Sequence, residues 1–248
     1  PADNASYIAF YDHVQSGDLG ATLEITYAHA PTVTTQAVSS IASTTATGNG
    51  NITSLGGPNP TQHGVCWSTN ADPTTADSHT TEGAAGATGA FTSSITGLSP
   101  NTLYHVRAYA TNTAGTAYGT DASFTTSGIA PTVTTQPVTG ISATGATGNG
   151  NITDLGFPNP TQHGVCWNTA GTPAISDNKT TDGAATATGA FTSSITGLSP
   201  NTLYHVRAYA TNNAGTAYGD EVSFTTDPQV PTVTTQAVSS IASTTATG

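Results

Sequence analysis

Short runs in which small or apolar residues alternate with polar ones recur along the whole chain, and a period of two is the signature of a half-buried strand. Between Thr44 and Leu55 the alternation places Ala46, Gly48, Gly50 and Ile52 on one face and Thr47, Asn49, Asn51 and Thr53 on the other. Being small and apolar, the first set is expected to face a core. A strand is also expected from Thr32 to Ile41. Another runs from Thr61 to Ser68 after a Pro-Asn-Pro turn, with Val65 and Trp67 on one face, and we expect Trp67 to fill the space beside Gly48 and Gly50. Thr88 to Ile95 supplies Phe91 and Ile95, and Leu98 closes that stretch. Further on, Val106, Ala108 and Ala110 alternate with His105, Arg107 and Tyr109, which predicts an outward stripe of the latter three, repeated at His205, Arg207 and Tyr209.

The pattern repeats. Residues 31–130 and 131–230 align without a gap, with 73 of 100 positions identical, and residues 231–248 match 31–48 letter for letter. This divides the chain into 1–30, two full modules (31–130 and 131–230), and the first strands of a third, incomplete repeat at 231–248. About seven short strands per module, separated by turn signals, predict tandem seven-stranded β-sandwiches. The expected cores contain Trp67, Phe91, Tyr104 and Phe124 in the first module and Trp167, Phe191, Tyr204 and Phe224 in the second. Tandem modules of equal length read as beads in an array rather than as halves of one active site.

The stretch Leu98-Ser99-Pro100-Asn101-Thr102-Leu103-Tyr104, followed by Val106, Ala108, Ala110 and Asn112, recurs at Leu198 to Tyr204 and Asn212. It resembles the fibronectin type III family, in which such a corner precedes a strand of this form. Gly64 to Thr69, Arg107 to Asn112, and Tyr118-Gly119 leading to Phe124-Thr125-Thr126 are similar to immunoglobulin-like tandem repeats of large secreted and surface proteins of Bacteroidetes-type bacteria. The resemblance covers roughly residues 31–226. It implies a β-sandwich and an extracellular or cell-surface setting, and it does not imply one activity. Residues 1–30 carry two strand-like runs, Tyr7 to Tyr11 and Ala21 to Tyr27, that resemble the closing strands of a jelly-roll-like domain. Two strands do not fold alone, so partners upstream or on another chain are expected.

Composition narrows the function classes. The chain has 3 Lys plus Arg against 14 Asp plus Glu, a net charge of -11, and 74 Ser plus Thr among its 248 residues. Three cations do not make a basic stripe, which excludes nucleic acid as a natural partner. No apolar run reaches the roughly 18 residues of a membrane helix. Scarce Leu, Glu and Lys beside abundant Thr, Val and Gly favour strands and turns, so the fold class is all-β.

Candidate chemistry is sparse. Cys66 and Cys166 occupy equivalent positions in different modules, are poor candidates to pair with each other, and are read as small semi-buried hydrophobes, with an inter-chain bridge as the alternative. His63 and His105, with His163 and His205, offer two ligands per module, short of the three or four that zinc requires, and no cofactor is expected. Asp72 and Asp77 flank a loop, but Thr172 stands at the matching position of the second module, which argues against calcium. Lys179 is the one lysine, so Lys-Asn cross-links are not expected. No nucleophile elbow accompanies the many serines, and the chain reads as non-enzymatic. Arg107 with Asp121, and Arg207 with Glu221, are expected as exposed cross-strand pairs. A sugar platform on Tyr109 is a weaker alternative.

Asn-x-Ser/Thr sequons stand at Asn4, Asn51, Asn151 and Asn178. Asn51 and Asn151 fall on the predicted outward face, and glycans would solubilise a surface with so few charges. The expected role is that of a repeat unit of a bacterial surface fibre, stalk or filament, whose partners are neighbouring copies or further repeats of the same chain. Strand complementation at residues 231–248 would assemble it head to tail. Spacer modules of a secreted polysaccharide-active enzyme, or a carbohydrate-binding adhesin, are the alternatives.

Overall fold

The computed structural model describes residues 28–237, all of whose regular structure is β. The first unit consists of β1 (Thr32–Ser39), β2 (Thr45–Ser54), β3 (Gln62–Ser68), β4 (Ser78–His79), β5 (Gly89–Thr96), β6 (Leu103–Asn112), β7 (Gly115–Tyr118) and β8 (Ala122–Thr125). The second repeats it as β9 (Thr132–Thr139), β10 (Gly145–Asp154), β11 (Gln162–Asn168), β12 (Asn178–Lys179), β13 (Gly189–Thr196), β14 (Leu203–Asn212), β15 (Gly215–Tyr218) and β16 (Val222–Thr225). In each unit a three-stranded sheet, β1-β2-β5 or β9-β10-β13, faces a five-stranded one. The latter runs β4-β3-β6-β7, with β8 pairing the first half of β6. All ladders are antiparallel, as short connections require. Each unit therefore has seven principal strands and the two-residue β4, which the sequence pattern did not predict.

Alternation along β2 buries Ala46 and Ile52 and turns the intervening Thr and Asn residues outward. The two glycines between them are filled, but not by Trp67. A Cβ on Gly48 would lie 2.8 Å from Val65 Cγ2, and one on Gly50 would overlap the Phe91 ring and lie 2.8 Å from Ala108 Cβ. Val65 precedes Trp67 by two residues on the same face, and it takes the place opposite Gly48. Trp67, half-buried, packs lower in the core with Ala46, Leu98, Val106, Tyr104 and Phe124. Phe91 bridges this cluster and a second one of Val33, Ile52, Ala85, Ala108 and Ala110. In the second unit Trp167, Tyr204 and Phe224 are buried and Phe191 packs against them.

The corner before β6 closes by hydrogen bonds between named motif residues. Ser99 N donates to Tyr104 Oη at 3.1 Å, Thr126 Oγ1 donates to Ser99 O at 2.6 Å, and Tyr104 stacks on Phe124 at 5.9 Å. Asn101 occupies the left-handed region at φ 47°, which Asn tolerates better than most residues. The β1 ladder shifts register between Gln36 and Ser39, and Asn49 Nδ2 fills the bulge by donating to Ala37 O at 2.6 Å and Ser39 Oγ at 3.0 Å.

Residues 231–237 form no strand. Val233 is 86% exposed, whereas Val33 and Val133, its equivalents, are 8% and 7% exposed. In the first unit β1 is held by β2 and by the Ala108 N bond to Thr35 Oγ1, 3.0 Å, whereas the stretch that would match β2 in the third repeat begins at Thr245, outside the described residues. The expected strands at Tyr7 to Tyr11 and Ala21 to Tyr27, and Val238, Ile241 and Ala246 of the third repeat, lie outside the described residues.

Candidate functional site

Chemistry-bearing side chains gather on the outer face of the five-stranded sheet, where β6 contributes His105, Arg107 and Tyr109. Of the predicted outward stripe, His105 and Arg107 are half-buried and Tyr109 is closed to solvent. The connection from β3 to β5 folds back over it, running beside β3 as an irregular edge: Thr80 N donates to Val65 O, Glu82 N to His63 O, and His63 N to Gly83 O. Tyr109, 1% exposed, lies beneath this strap and donates its hydroxyl to Thr80 O at 2.6 Å; burial raises its pKa. Tyr209 makes the same bond to Thr180 O at 2.6 Å. A ring so covered has no face to offer a sugar.

The expected ion pairs are also corrected. Asp121 accepts from His105 Nδ1 at 2.7 Å rather than pairing with Arg107, and Glu221 is held by His205 Nδ1 at 2.6 Å rather than by Arg207. Arg107 turns the other way, donating Nε to Gly119 O at 2.8 Å with its guanidinium 4.8 Å from the centre of the Tyr118 ring. Its carboxylate neighbour is Asp72, 3.7 Å distant on the strap. Arg207 repeats the stack on Tyr218 at 4.6 Å. Thr172 replaces Asp72 there, and no acid of the described residues pairs with Arg207. The acids also fasten the strap, because Asp72 N donates to Asp121 Oδ2 and Thr172 N to Glu221 Oε2. Those contacts, led by the Thr172 N–H and then by His205, hold the Glu221 carboxyl below its ordinary value.

Cys66 and Cys166 are fully buried, and burial pushes both thiols up to about 11. Cys66 Sγ donates to Pro73 O at 3.2 Å, so it also anchors the strap. His63 and His163 are satisfied by Gly83 O and Gly183 O, each at 2.8 Å, and sit edge-on to Phe91 and Phe191. Among the described residues no three His, Cys, Asp or Glu side chains gather as a metal site would require. Ser193 donates to Asp182 Oδ2, whereas its equivalent Ser93 is buried without a partner.

Sequence reasoning missed the feature that recurs most faithfully, the entry of the chain into each unit. Asn112, buried, donates Nδ2 to His29 O and to Pro58 O, both at 2.7 Å. Asn212 does the same to Ile129 O and Pro158 O, both at 2.7 Å. His29 and Gly57 exchange backbone bonds, as do Ile129 and Phe157. On the exit side Ser127 N donates to Ala42 O, and Asp227 N to Ser142 O. Ser127 therefore belongs to the first unit and Ile129 to the second, and Gly128 alone lies between them. A Cβ at Gly128 would stand 2.6 Å from Phe157 O and 3.0 Å from Ala214 Cβ, so this residue too is packed. The sole hint in the sequence was Asn112 and Asn212 at the end of the repeated Val-x-Ala-x-Ala-x-Asn strand.

Of the sequons, Asn51 and Asn151 stand half-buried on the outer face of the central strands β2 and β10, flanked by Thr34 and Ala90 or by Thr134 and Ala190. Asn178 is exposed at the start of the edge strand β12. Asn4 lies outside the described residues. The outer face of each three-stranded sheet carries Thr, Asn, Gln, Ser and Ala, and the one charged residue in the strands of these sheets is Asp154, at the end of β10.

No protein-family model matches the chain, and no curated protein matches it. Among solved structures it is similar to the FN1-FN3 domains of chicken CNTN1, at 14% identity and a TM-score of 0.38, covering 81% of this chain and 68% of that one. It is also similar to the sensor domain of the anti-sigma factor RsgI4 of Pseudobacteroides cellulosolvens. The longer form of that domain gives 15% identity and a TM-score of 0.31, covering 43% of this chain and 99% of that one. The shorter form gives 16% identity and a TM-score of 0.30, covering 40% and 96%. Judged on its own strand order, β1-β2-β5 against β4-β3-β6-β7 with β8 beside β6, each unit is an all-β sandwich consistent with a fibronectin type III or immunoglobulin-like fold.

Proposed function

We propose that the chain is a structural segment of an extracellular fibre or stalk, built of sandwich beads and carrying no catalytic role. The observation that carries this reading is the joint. A single residue separates two units, each of which fixes its own side of the connection by hydrogen bonds, so successive beads are held at a set orientation rather than on a flexible tether. Such a connection suits a rod that transmits tension or holds something at a distance from a surface. The strap, the buried thiols and the stacked arginines act as fastenings of the bead in this reading. Sugars at Asn51, Asn151 and Asn178 supplement a surface poor in charge, and the segment after Pro231 is completed by strands from another copy, giving head-to-tail filaments, or by further repeats of the same chain.

Electron microscopy of the native particle, with denaturing electrophoresis and intact mass on the same material, tests the reading. Rows of beads, a subunit of modest mass, and mass increments of whole hexose type support it. A compact particle dominated by a catalytic domain would replace it with an enzyme spacer.

A further inference from the structure

The two units differ at 27 of their 100 aligned positions, and the differences are not evenly spread. Residues 87–112 and 187–212, which hold β5 and β6 and their counterparts, are identical. By contrast, nine of the twelve positions from Ser68 to His79 are changed in the matching stretch from Asn168 to Lys179. That stretch is the first half of the strap. A loop that varies on a framework that does not is where recognition is expected.

One change removes a charge from a prepared place. In the first unit the Arg107 guanidinium is fixed by its Nε–H bond to Gly119 O and by the Tyr118 ring, and Asp72 Oδ1 stands 3.7 Å from Nη1. Arg207 is fixed in the same way, by Gly219 O at 2.9 Å and by the Tyr218 ring at 4.6 Å. The strap backbone also keeps its place: Thr172 N donates to Glu221 as Asp72 N does to Asp121, at φ values of 50° and 56°. Only the carboxylate is lost, and among the described residues nothing accepts from Arg207 Nη1 or Nη2. Stability does not account for the exchange, because a β-branched Thr is costlier than Asp in the left-handed region. A second cation is added nearby, where Lys179 replaces His79. Lys179 and Arg207 both pair with Cys166, which sets their backbones about 10 Å apart across the sheet, and Lys179 Nζ donates to Ile175 O on the strap at 2.6 Å.

We infer that Arg207 is a binding site for an external carboxylate, and that its ligand is an acidic sugar of the uronate class. The first unit shows a carboxylate of the chain itself, Asp72, beside this guanidinium; the second presents the same guanidinium with no internal carboxylate. Held by the ring stack and one backbone bond, the planar fork keeps its terminal N–H groups oriented for the two oxygens of such a ligand. Thr172 and Ser176 of the strap are exposed and offer hydroxyls to a polyhydroxylated ring, and Asn168 to Lys179 contains no aromatic residue of the kind that anchors a protein partner. An acid on a second copy would have to approach a chain of net charge -11, a repulsion that a single sugar acid largely escapes. The site does not depend on the beads forming a fibre.

Nuclear magnetic resonance of the arginine Nε–H groups in the full 248-residue chain tests it, because Arg107 and Arg207 are the only arginines and give two signals. Arg107→Lys assigns them. Glucuronate is the probe, with glucose and acetate as controls. The expected result is a saturable shift of the Arg207 signal with glucuronate and none at Arg107. Thr172→Asp should weaken the response by about tenfold or more, and Asp72→Thr should confer it on Arg107. Each of these residues is native at the matching position of the other unit, so both variants keep the fold. No saturable shift at Arg207, equal shifts at both arginines in the parent, or a response indifferent to Thr172→Asp overturns the inference. Glucose or acetate acting as strongly as glucuronate overturns the sugar assignment. An Arg207 signal that moves with protein concentration and not with glucuronate overturns it in favour of a second copy.

Discussion

Asn212 Nδ2 donates to the carbonyl of Ile129, 83 residues earlier in the chain, at 2.7 Å, and in doing so ties the end of β14 to the strand of chain that enters the second unit. Its other proton goes to Pro158 O at 2.7 Å, so one buried amide satisfies two carbonyls that have few alternatives.

Asn212→Ala should therefore destabilise the second unit by about 1–3 kcal/mol, the usual result of leaving buried polar groups unpaired. It should also free Ile129, so that the radius of gyration measured by small-angle scattering rises. Asn112→Ala removes the matching bonds to His29 and Pro58, and should cost the first unit a similar amount without changing the spacing of the two units. Denaturant unfolding of both variants checks the pair.

Ser93 and Ser193 should respond oppositely to truncation. Ser93 Oγ is buried with no partner, whereas Ser193 donates to Asp182, and the residue at the matching position of the first unit is Glu82. Ser93→Ala should be neutral or stabilising, Ser193→Ala should cost about 1 kcal/mol, and Glu82→Asp should supply the missing acceptor and stabilise the first unit by a similar amount. Urea titrations of the three variants decide it.

The strands were legible in the sequence because alternation is a local property: Ala46, Gly48, Gly50 and Ile52 face inward whatever surrounds them. What lies on the far side of a sheet is not local. Tyr109 alternates like an exposed residue, and it is buried because the strap crosses it using the Thr80 carbonyl, a group every residue possesses and no motif marks. The same limit explains Asp121, since the choice between Arg107 and His105 depends on Tyr118 drawing the guanidinium toward β7. Glycine at position 50 was read correctly as a gap, but which ring entered it depended on the register of β5, where Phe91 faces Gly50.

Glu221 should impose an acid-side dependence on the second unit. Its folded-state pKa is held below its ordinary value of 4.5, so folding favours the ionised form. The stabilisation is present above the unfolded-state value and is lost as pH falls through the folded one. Melting temperatures followed from about pH 6 to about pH 3 should fall more steeply for the parent than for Glu221→Gln. Equal slopes would remove the Thr172 and His205 contacts from the account.

Adding a methyl at either core glycine should overfill the first unit. Gly50→Ala meets the Phe91 ring and Ala108, and Gly48→Ala meets Val65 and Ile95, so each should cost about 1–3 kcal/mol. Thermal unfolding measures the loss, and Phe91→Leu combined with Gly50→Ala should recover part of it.

Cys66 and Cys166, buried and with thiols pushed up to about 11, should resist thiol reagents in the folded chain and react on unfolding.

The central claim is that the beads are joined at a fixed orientation. With both native thiols protected, spin labels can be placed at Ser123→Cys and Ser223→Cys, exposed positions one repeat apart on β8 and β16. Pulsed dipolar spectroscopy on the doubly labelled chain should give one narrow distance distribution that broadens when Asn212 is replaced by Ala. A broad distribution in the parent, unchanged by Asn212→Ala, would contradict the account.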